Sequence, residues 1–198
     1  MDLNAIIQRV KEILLKPRET WAEIKEETTT VTDIFKQYVM VLAAVPIVAG
    51  FLGKWILGVN IPFWGHYRTS FLRGLTGAIV QYVLILVGVF IAAKVVEMLA
   101  PSFQAKKDNV AAFKVIAYSM TAAWVIGIVT IIPDLSPLTI LGLYSFYLLY
   151  LGLPHLMECP PEKALGYTII TIVVLIVVWI VIGIISAAFL GIPRGAMP

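Results

Sequence analysis

The chain has 198 residues, of which 60% are hydrophobic and only 14% charged, and its mean hydropathy is +0.93. A soluble domain of this length could not bury so much apolar surface, because a large share of any small fold must face water. The composition therefore excludes an ordinary soluble domain and predicts an integral membrane protein.

The charges are few, and most lie beside apolar segments. The formal net charge is +3 and the pI is near 9.0. Because the basic residues form no single long run, the sequence argues against nucleic acid as a partner and favours anionic lipid headgroups. The one cysteine, Cys159, excludes an intramolecular disulfide.

The N-terminal segment predicts two amphipathic helices. Pro17 ends the first helix, and residues 18–27 form the second. We assign residues 1–34 to an amphipathic helical arm and residues 35–198 to a transmembrane domain. Two placements of the arm stay open, in the plane of the membrane interface or packed on the cytoplasmic mouth of its own bundle. The apolar residues of the first helix recur at helical spacing: Leu3, Ile6, Ile7, Val10, Ile13 and Leu14.

Five apolar stretches follow, each close to or above the ~20 residues that cross the hydrocarbon core. The sequence therefore predicts an all-α integral membrane protein, a bundle of five transmembrane helices. Pro133 and Pro137 leave almost no room between the third and fourth helices, which predicts a tight helical hairpin. The stretches cover residues 35–57, 74–99, 110–132, 135–153 and 167–190.

Lysine and arginine counts give the chain an orientation. With the N-terminus inside, eleven basic residues lie on the cytoplasmic side and four outside, so the sequence predicts a cytoplasmic N-terminus and an external C-terminus. Aromatic residues cluster in the first external loop, where we expect residues 60–65 to dip into the interface. These aromatic residues are Trp55, Phe63, Trp64 and Tyr67.

Three separated motifs carry a family resemblance. Residues 144–157 read YSFYLLYLGLPHLM and are followed by PPEKALGY at 160–167, while Glu19-Thr20-Trp21 follows the first helix and Ala117-Tyr118-Ser119 lies in the third span. In this order the motifs resemble prokaryotic members of the Yip membrane-domain family, named after eukaryotic proteins that interact with Ypt/Rab GTPases. The resemblance implies five spans in the prokaryotic cytoplasmic (inner) membrane and a cytoplasmic N-terminus. GTPase binding is not carried over, because the eukaryotic relatives have a longer cytosolic N-terminal region.

Few polar residues lie within the spans. Thr76 and Gln81 in span two, with Ser119 and Thr121 in span three, can supply interhelical hydrogen bonds or line a narrow polar path. Lys94 and Glu97 end span two, where they can form an ion pair and contact headgroups or form a polar cytoplasmic mouth. Lys163, before the fifth span, is a further candidate for headgroup contact or a determinant of topology.

Two further groups concern partners and metals. Gly183 and Ala187 have the small-xxx-small spacing that allows close helix approach, so the fifth span is a candidate contact in a homo-oligomer. One loop contains residue types that bind metal, but in no recognised ligand spacing, and we predict no metal site and no cofactor. The residues of that loop are His155, Met157, Glu158 and Cys159.

The spans lack the paired acids, histidines and serines that intramembrane catalysis needs, so no enzyme is predicted. The favoured hypothesis is a membrane-organising scaffold of the Yip type that acts through lipid contacts and self-association. The alternative is a small transporter or channel with a polar path between the helices.

Overall fold

The computed structural model describes residues 3–61 and 65–190, without the side chains of residues 60, 61, 67 and 187–190. Five helical segments are long and apolar enough to cross a membrane, which confirms the predicted all-α bundle. We name them spans 1 to 5: Val31–Leu57, Phe71–Phe103, Asn109–Ile131, Pro133–Leu156 and Pro161–Ser186.

The N-terminal arm is a helical hairpin packed on the bundle. Helix α1 covers Leu3–Leu15, and α2 covers Pro17–Glu26 with its proline in the first turn. Side chains from both helices are buried in the same core as the spans, and the Tyr144 hydroxyl of span 4 donates to the Leu14 carbonyl at 3.1 Å. The arm is therefore packed on its own bundle. The buried apolar residues of the arm are Ile6, Ile13, Trp21 and Ile24.

Span 1 begins four residues before the predicted start, because a capping box opens it. Thr30 accepts a hydrogen bond from the Asp33 amide, and the Asp33 carboxylate accepts one from the Thr30 amide. The span contains Pro46 in the interior of α4. Its segments are α3 (Val31–Ile34), a π-helix (Phe35–Val39), α4 (Met40–Leu52) and a second π-helix (Gly53–Leu57).

A small β-hairpin, which the sequence did not predict, joins spans 1 and 2. Strand β1 (Val59–Ile61) pairs antiparallel with β2 (Gly65–Tyr67). Gly58 has a φ of +77°, and an added Cβ would lie 2.6 Å from the His66 ring, so glycine is required there. Residues 62–64, with the aromatic pair Phe63 and Trp64, lie outside the described residues, as does the Tyr67 side chain. Trp55 packs on the Phe51 and Phe71 rings with centroids 6.0 and 5.1 Å away.

Spans 2, 3 and 4 each combine α-helix with 3₁₀-helix, whereas span 5 is one continuous α-helix. In span 3 the Asp108 carboxylate caps α6 by accepting from the Val110 and Ala111 amides. The segments are α5 (Phe71–Leu99) and a 3₁₀-helix (Ala100–Phe103) in span 2; α6 (Asn109–Ser119), α7 (Thr121–Ile126) and a 3₁₀-helix (Gly127–Ile131) in span 3; a 3₁₀-helix (Pro133–Leu143) and α8 (Tyr144–Leu156) in span 4; and α9 (Pro161–Leu190) in span 5.

Span 3 lies at the centre of the bundle and span 5 at its periphery. Every residue from 112 to 122 is buried, whereas most of the described apolar side chains of α9 are exposed. We call the end that carries the arm the arm end, and the end that carries the β-hairpin the hairpin end.

Belts of charge mark the two ends of the apolar zone. Span 1 has no charged residue between Lys36 and Lys54, and span 2 has none between Arg73 and Lys94. At 1.5 Å per residue these intervals correspond to about 27 and about 32 Å. Both are close to the ~30 Å hydrocarbon core of a bilayer. The ends of spans 2 and 5 that extend past the belt therefore fit the headgroup region and the water beyond it.

Candidate functional site

At the arm end, a buried lysine holds the arm to span 3. The Lys114 side chain is only 4% exposed. Its ammonium donates to the Ile24 and Glu27 carbonyls, at 2.7 and 2.6 Å, where α2 ends. A cation at a helix C-terminus satisfies carbonyls that have no partner within the helix and complements the helix dipole. Arg9 of α1 also pairs with the Glu27 carboxylate, so both arm helices join one polar cluster.

Trp21 is the main apolar contact of the arm. Its ring is fully buried, and it lies directly over Gly152 of span 4: a Cβ added at Gly152 would come within 2.6 Å of the ring. Its edge meets the Tyr118 ring, with centroids 6.4 Å apart, and Tyr118 in turn packs on Tyr38 at 4.7 Å. The three motifs that carry the family resemblance are therefore in mutual contact.

Two of the predicted polar-path residues lie in this region. The Thr121 hydroxyl donates to the Tyr118 carbonyl at 2.7 Å and accepts from the Tyr38 hydroxyl, also at 2.7 Å. Ser119 is fully buried, and its hydroxyl has no hydrogen-bond partner within the described ranges. Both residues lie in the packed core between arm and bundle.

The candidate headgroup contacts also lie at the arm end. Lys94 and Glu97 form the predicted ion pair, with Nζ 2.7 Å from Oε2. The carboxylate is buried and the lysine side chain is exposed. Lys163 is half-buried in the first turn of α9. Four residues further on, the Tyr167 hydroxyl donates to the Val96 carbonyl and so ties span 5 to span 2.

The residues of the loop between spans 4 and 5 have separate partners. The His155 ring bonds to the Leu151 carbonyl at 2.8 Å, and Glu158 pairs with Lys25 of the arm at 3.3 Å. The Cys159 thiol is buried 3.6 Å from the Phe103 carbonyl, and this burial raises its pKa. Among the described residues, no group of three or more acids, histidines or cysteines is arranged to hold a metal.

An open cavity of about 320 Å³ lies at the hairpin end, lined by spans 1 and 2, the β-hairpin and the region where span 3 meets span 4. The apolar part of its wall includes Pro46, Ile47, Phe51 and Ile85. The polar side chains along its wall are Lys54, Thr69, Gln81, Thr130 and Ser136.

The polar side chains of this cavity differ in their remaining hydrogen-bonding capacity. The Thr130 hydroxyl donates to the Gly127 carbonyl at 2.7 Å, and the Ser136 hydroxyl donates to the Pro133 carbonyl. Both oxygens therefore keep lone pairs that can accept hydrogen bonds. The Lys54 ammonium, the Thr69 hydroxyl and the Gln81 amide make no hydrogen bond or ion pair with any other described residue.

The four predicted polar-path residues are thus in three places. Gln81 lies in the hairpin-end cavity, whereas Ser119 and Thr121 lie in the buried middle of span 3. Thr76 is exposed on the outside of span 2, and its hydroxyl donates to the Leu72 carbonyl at 2.9 Å.

Sequence reasoning missed the other four polar residues of the cavity. The signal that could have indicated them is a concentration of glycine near the hairpin ends of spans 1 and 2, since glycines allow close backbone approach and leave space. A Cβ at Gly53, for example, would lie 2.5 Å from the Thr130 carbonyl oxygen. The glycines concerned are Gly50, Gly53, Gly74 and Gly77.

The candidate oligomer contact lies on the peripheral span. Gly183 is exposed, and an added Cβ there would meet nothing within 4 Å. The side chain of Ala187 is outside the described part of the chain. Gly88 of span 2, by contrast, packs inside the bundle, because an added Cβ would lie 3.0 Å from both Val178 and Ile182 of α9.

The three motifs that contact one another belong to a sequence family. The sequence model of the Yip1 domain matches residues 11–182, which include the last five residues of α1, all of α2 and every span but the last residues of span 5. The chain belongs to the Yip1 domain family. This confirms the family predicted from the motifs.

Two curated relatives of this Yip1 domain are inner membrane proteins. The inner membrane protein YohC of Escherichia coli K12 is 24% identical over 155 residues, which cover 76% of this chain and 80% of the relative. The protein of the same name from Escherichia coli O6:H1 (strain CFT073) gives the same figures. No solved structure matches the chain. The five apolar helices and these relatives support the predicted membrane localisation.

Proposed function

We propose that this Yip1 domain is a non-enzymatic, membrane-organising protein that acts through lipid contacts and self-association, with its arm end in the cytoplasm. The orientation follows the eleven basic residues of that end against four at the other. Under this proposal the arm, Lys94, Glu97 and Lys163 lie at the headgroups of the cytoplasmic leaflet. GTPase binding is no part of the proposal.

The exposed face of α1 carries the lipid part of the proposal. Leu3, Ile7 and Leu15 are 66%, 44% and 78% exposed, and with Lys11 they recur at intervals of four residues. They form one stripe on the side opposite Ile13, which packs into the bundle. An exposed apolar stripe with a lysine, on a helix that is packed against the bundle, suits insertion into the headgroup boundary.

The self-association part is supported by span 5. Its exposed surface is almost entirely apolar, and Gly183 allows a partner helix to approach closely there. Because α9 lies at the periphery of the bundle, a second copy can contact this face without any change in the fold.

Lipid contact of the arm is tested with an environment-sensitive fluorophore on Ile7→Cys in a Cys159→Ser background. In vesicles, we expect quenching by brominated lipids and protection from iodide. The matched control is Ala22→Cys, on the exposed side of α2, where we expect quenching by iodide only. Equal quenching by iodide at both positions would contradict lipid insertion of the arm.

Self-association is tested by energy transfer between donor- and acceptor-labelled copies in vesicles at decreasing protein-to-lipid ratios. Gly183→Ile should lower the transfer efficiency, because its side chain prevents close approach. The matched control is Val181→Phe, which adds bulk to an exposed position two residues away and should leave transfer unchanged. Transfer no greater than that of a non-associating membrane protein would refute self-association.

One observation favours the alternative, a small transporter: the hairpin-end cavity contains Gln81 and reaches Ile85. Ile85 is eleven residues from Gly74, about 16 Å along the helix and half of the bilayer core. The flux of small solutes into vesicles, with Gln81→Leu as the comparison, decides between the functions. Flux that the substitution abolishes would favour transport, and no flux in the unmodified protein would exclude this path.

A further inference from the structure

The hairpin-end cavity contains polar side chains that have no hydrogen-bond partner among the described residues and can bind a ligand. Gln81 is eight residues from Arg73, about 12 Å inside the charge belt. An amide without a hydrogen-bond partner at that depth is unfavourable unless a polar group reaches it. The free ammonium of Lys54 and the free hydroxyl of Thr69 line the same cavity.

The charge of the hairpin end is suited to an anion. The arm end has eleven basic and eleven acidic residues, so its formal charge is zero. The net charge of +3 therefore comes from the hairpin end. The charged residues there are Lys54, Arg68, Arg73, Arg194 in the tail outside the described residues, and the single acid Asp134. Arg68 donates to the Trp55 and Ile56 carbonyls at the end of span 1. Lys54, in the cavity wall, has no carboxylate within ion-pair distance among the described residues.

The size and surroundings of the cavity indicate a lipid headgroup. A volume of about 320 Å³ is at the lower end of the range for small-molecule sites. It suits a headgroup and leaves no room for acyl chains. Apolar residues next to the cavity wall in sequence are exposed on the outside of spans 1 and 2, where acyl chains would lie: Val48, Ile79 and Val83.

We propose that this cavity binds the headgroup of an anionic phospholipid that carries free hydroxyls, as phosphatidylglycerol does. Lys54 pairs with the phosphate, and the Gln81 amide bonds to headgroup oxygens deeper in the cavity. Thr130 and Ser136, whose protons are engaged with carbonyls, accept hydrogen bonds from the headgroup hydroxyls. The site is at the opposite end from the arm and stands whether or not the proposed function holds.

The test uses the full chain in nanodiscs of phosphatidylcholine that contain a minor fraction of spin-labelled phosphatidylglycerol. The measurement is the immobilised fraction of the probe as its concentration rises. Lys54→Met and Gln81→Glu should each weaken retention at least about tenfold, as expected when a charge-assisted hydrogen bond is lost or a repulsive carboxylate is added. Lys36→Met, at the other end of the same span, is the control for loss of one exposed lysine and should bind like the unmodified protein.

The source of the anion is decided by competition. Glycerol phosphate and inorganic phosphate should not displace the labelled lipid, because they lack the acyl chains that hold the headgroup in place. Displacement by either would assign the cavity to soluble phosphate esters and overturn the lipid proposal. Equal retention by Lys54→Met, Lys36→Met and the unmodified protein, with all three monodisperse and equally helical, would overturn it as well.

Discussion

Replacing Gly152 with alanine tests how the arm is held against the bundle. The new Cβ would lie 2.6, 2.8 and 2.9 Å from three atoms of the Trp21 ring, well inside van der Waals contact. The ring is fully buried and rigid, so it has no small rotation by which to escape. We expect Trp21 to be displaced and docking of α1 and α2 to be weakened.

Two opposing terms set the size of the effect. Overpacking of a well-packed core costs about 1 to 3 kcal/mol. Alanine is favoured over glycine within a helix by up to about 1 kcal/mol. The net loss in the free energy of arm docking is therefore about 1 to 2 kcal/mol, which corresponds to a roughly 5- to 30-fold larger population of the undocked arm.

The assay is hydrogen exchange of α1 and α2 amides in the reconstituted protein. Exchange in the arm should accelerate by that factor, while exchange in span 2 stays unchanged. The matched control is Gly166→Ala in α9, where the added Cβ would lie 3.5 Å from the Phe103 ring, an ordinary contact. This control should leave arm exchange as it is.

A double substitution tests the assigned cause. Trp21→Phe removes the part of the indole ring that the new methyl group would meet. Gly152→Ala combined with Trp21→Phe should therefore cost less than the sum of the two single changes. Additive costs, or an unchanged exchange rate in Gly152→Ala alone, would refute the proposed clash between Gly152 and Trp21.

Three further changes give separate checks on the fold. Lys114→Met removes two charge-assisted hydrogen bonds to the end of α2 and should weaken arm docking by about 2 to 3 kcal/mol, measured by hydrogen exchange of the arm. The control, Lys107→Met at an exposed position, should leave arm exchange unchanged. Equal exchange rates in the two variants would contradict the role of Lys114 in holding the arm. Gly127→Ala places a Cβ 2.4 Å from the Pro46 ring, which should cost about 1 to 3 kcal/mol of overpacking and lower the thermal midpoint of unfolding in detergent by several degrees. An unchanged midpoint would contradict the close contact of spans 1 and 3. Burial raises the pKa of the Cys159 thiol, so less thiolate is present near neutral pH. Iodoacetamide should therefore react more slowly with the native protein than with the protein denatured in detergent, and the difference between the two rates should narrow as pH rises. Equal rates at pH 7 would refute this protection.

Length and hydropathy determined the membrane class and the five spans, and three sequence motifs indicated the family. Transfer of about twenty apolar residues into lipid is favourable in whatever direction each side chain points, so a linear count suffices to find a span. The observed end of a span differs from the predicted one where a local interaction extends the helix beyond its apolar residues. In span 1, the capping box of Thr30 and Asp33 begins the helix before its apolar core.

The faces of the spans were decided only by tertiary structure. Helices that are apolar on all sides have no pattern to show which side meets lipid and which meets a neighbour. Thr76 and Gln81 are equally polar in sequence and five residues apart, yet one faces outward and the other lines a cavity. The same holds for the arm, because its packing on the bundle depends on contacts between distant residues, such as Trp21 with Gly152 and Lys114 with the end of α2. Direction around a helix axis is set by packing between helices, and no single segment of sequence contains that information.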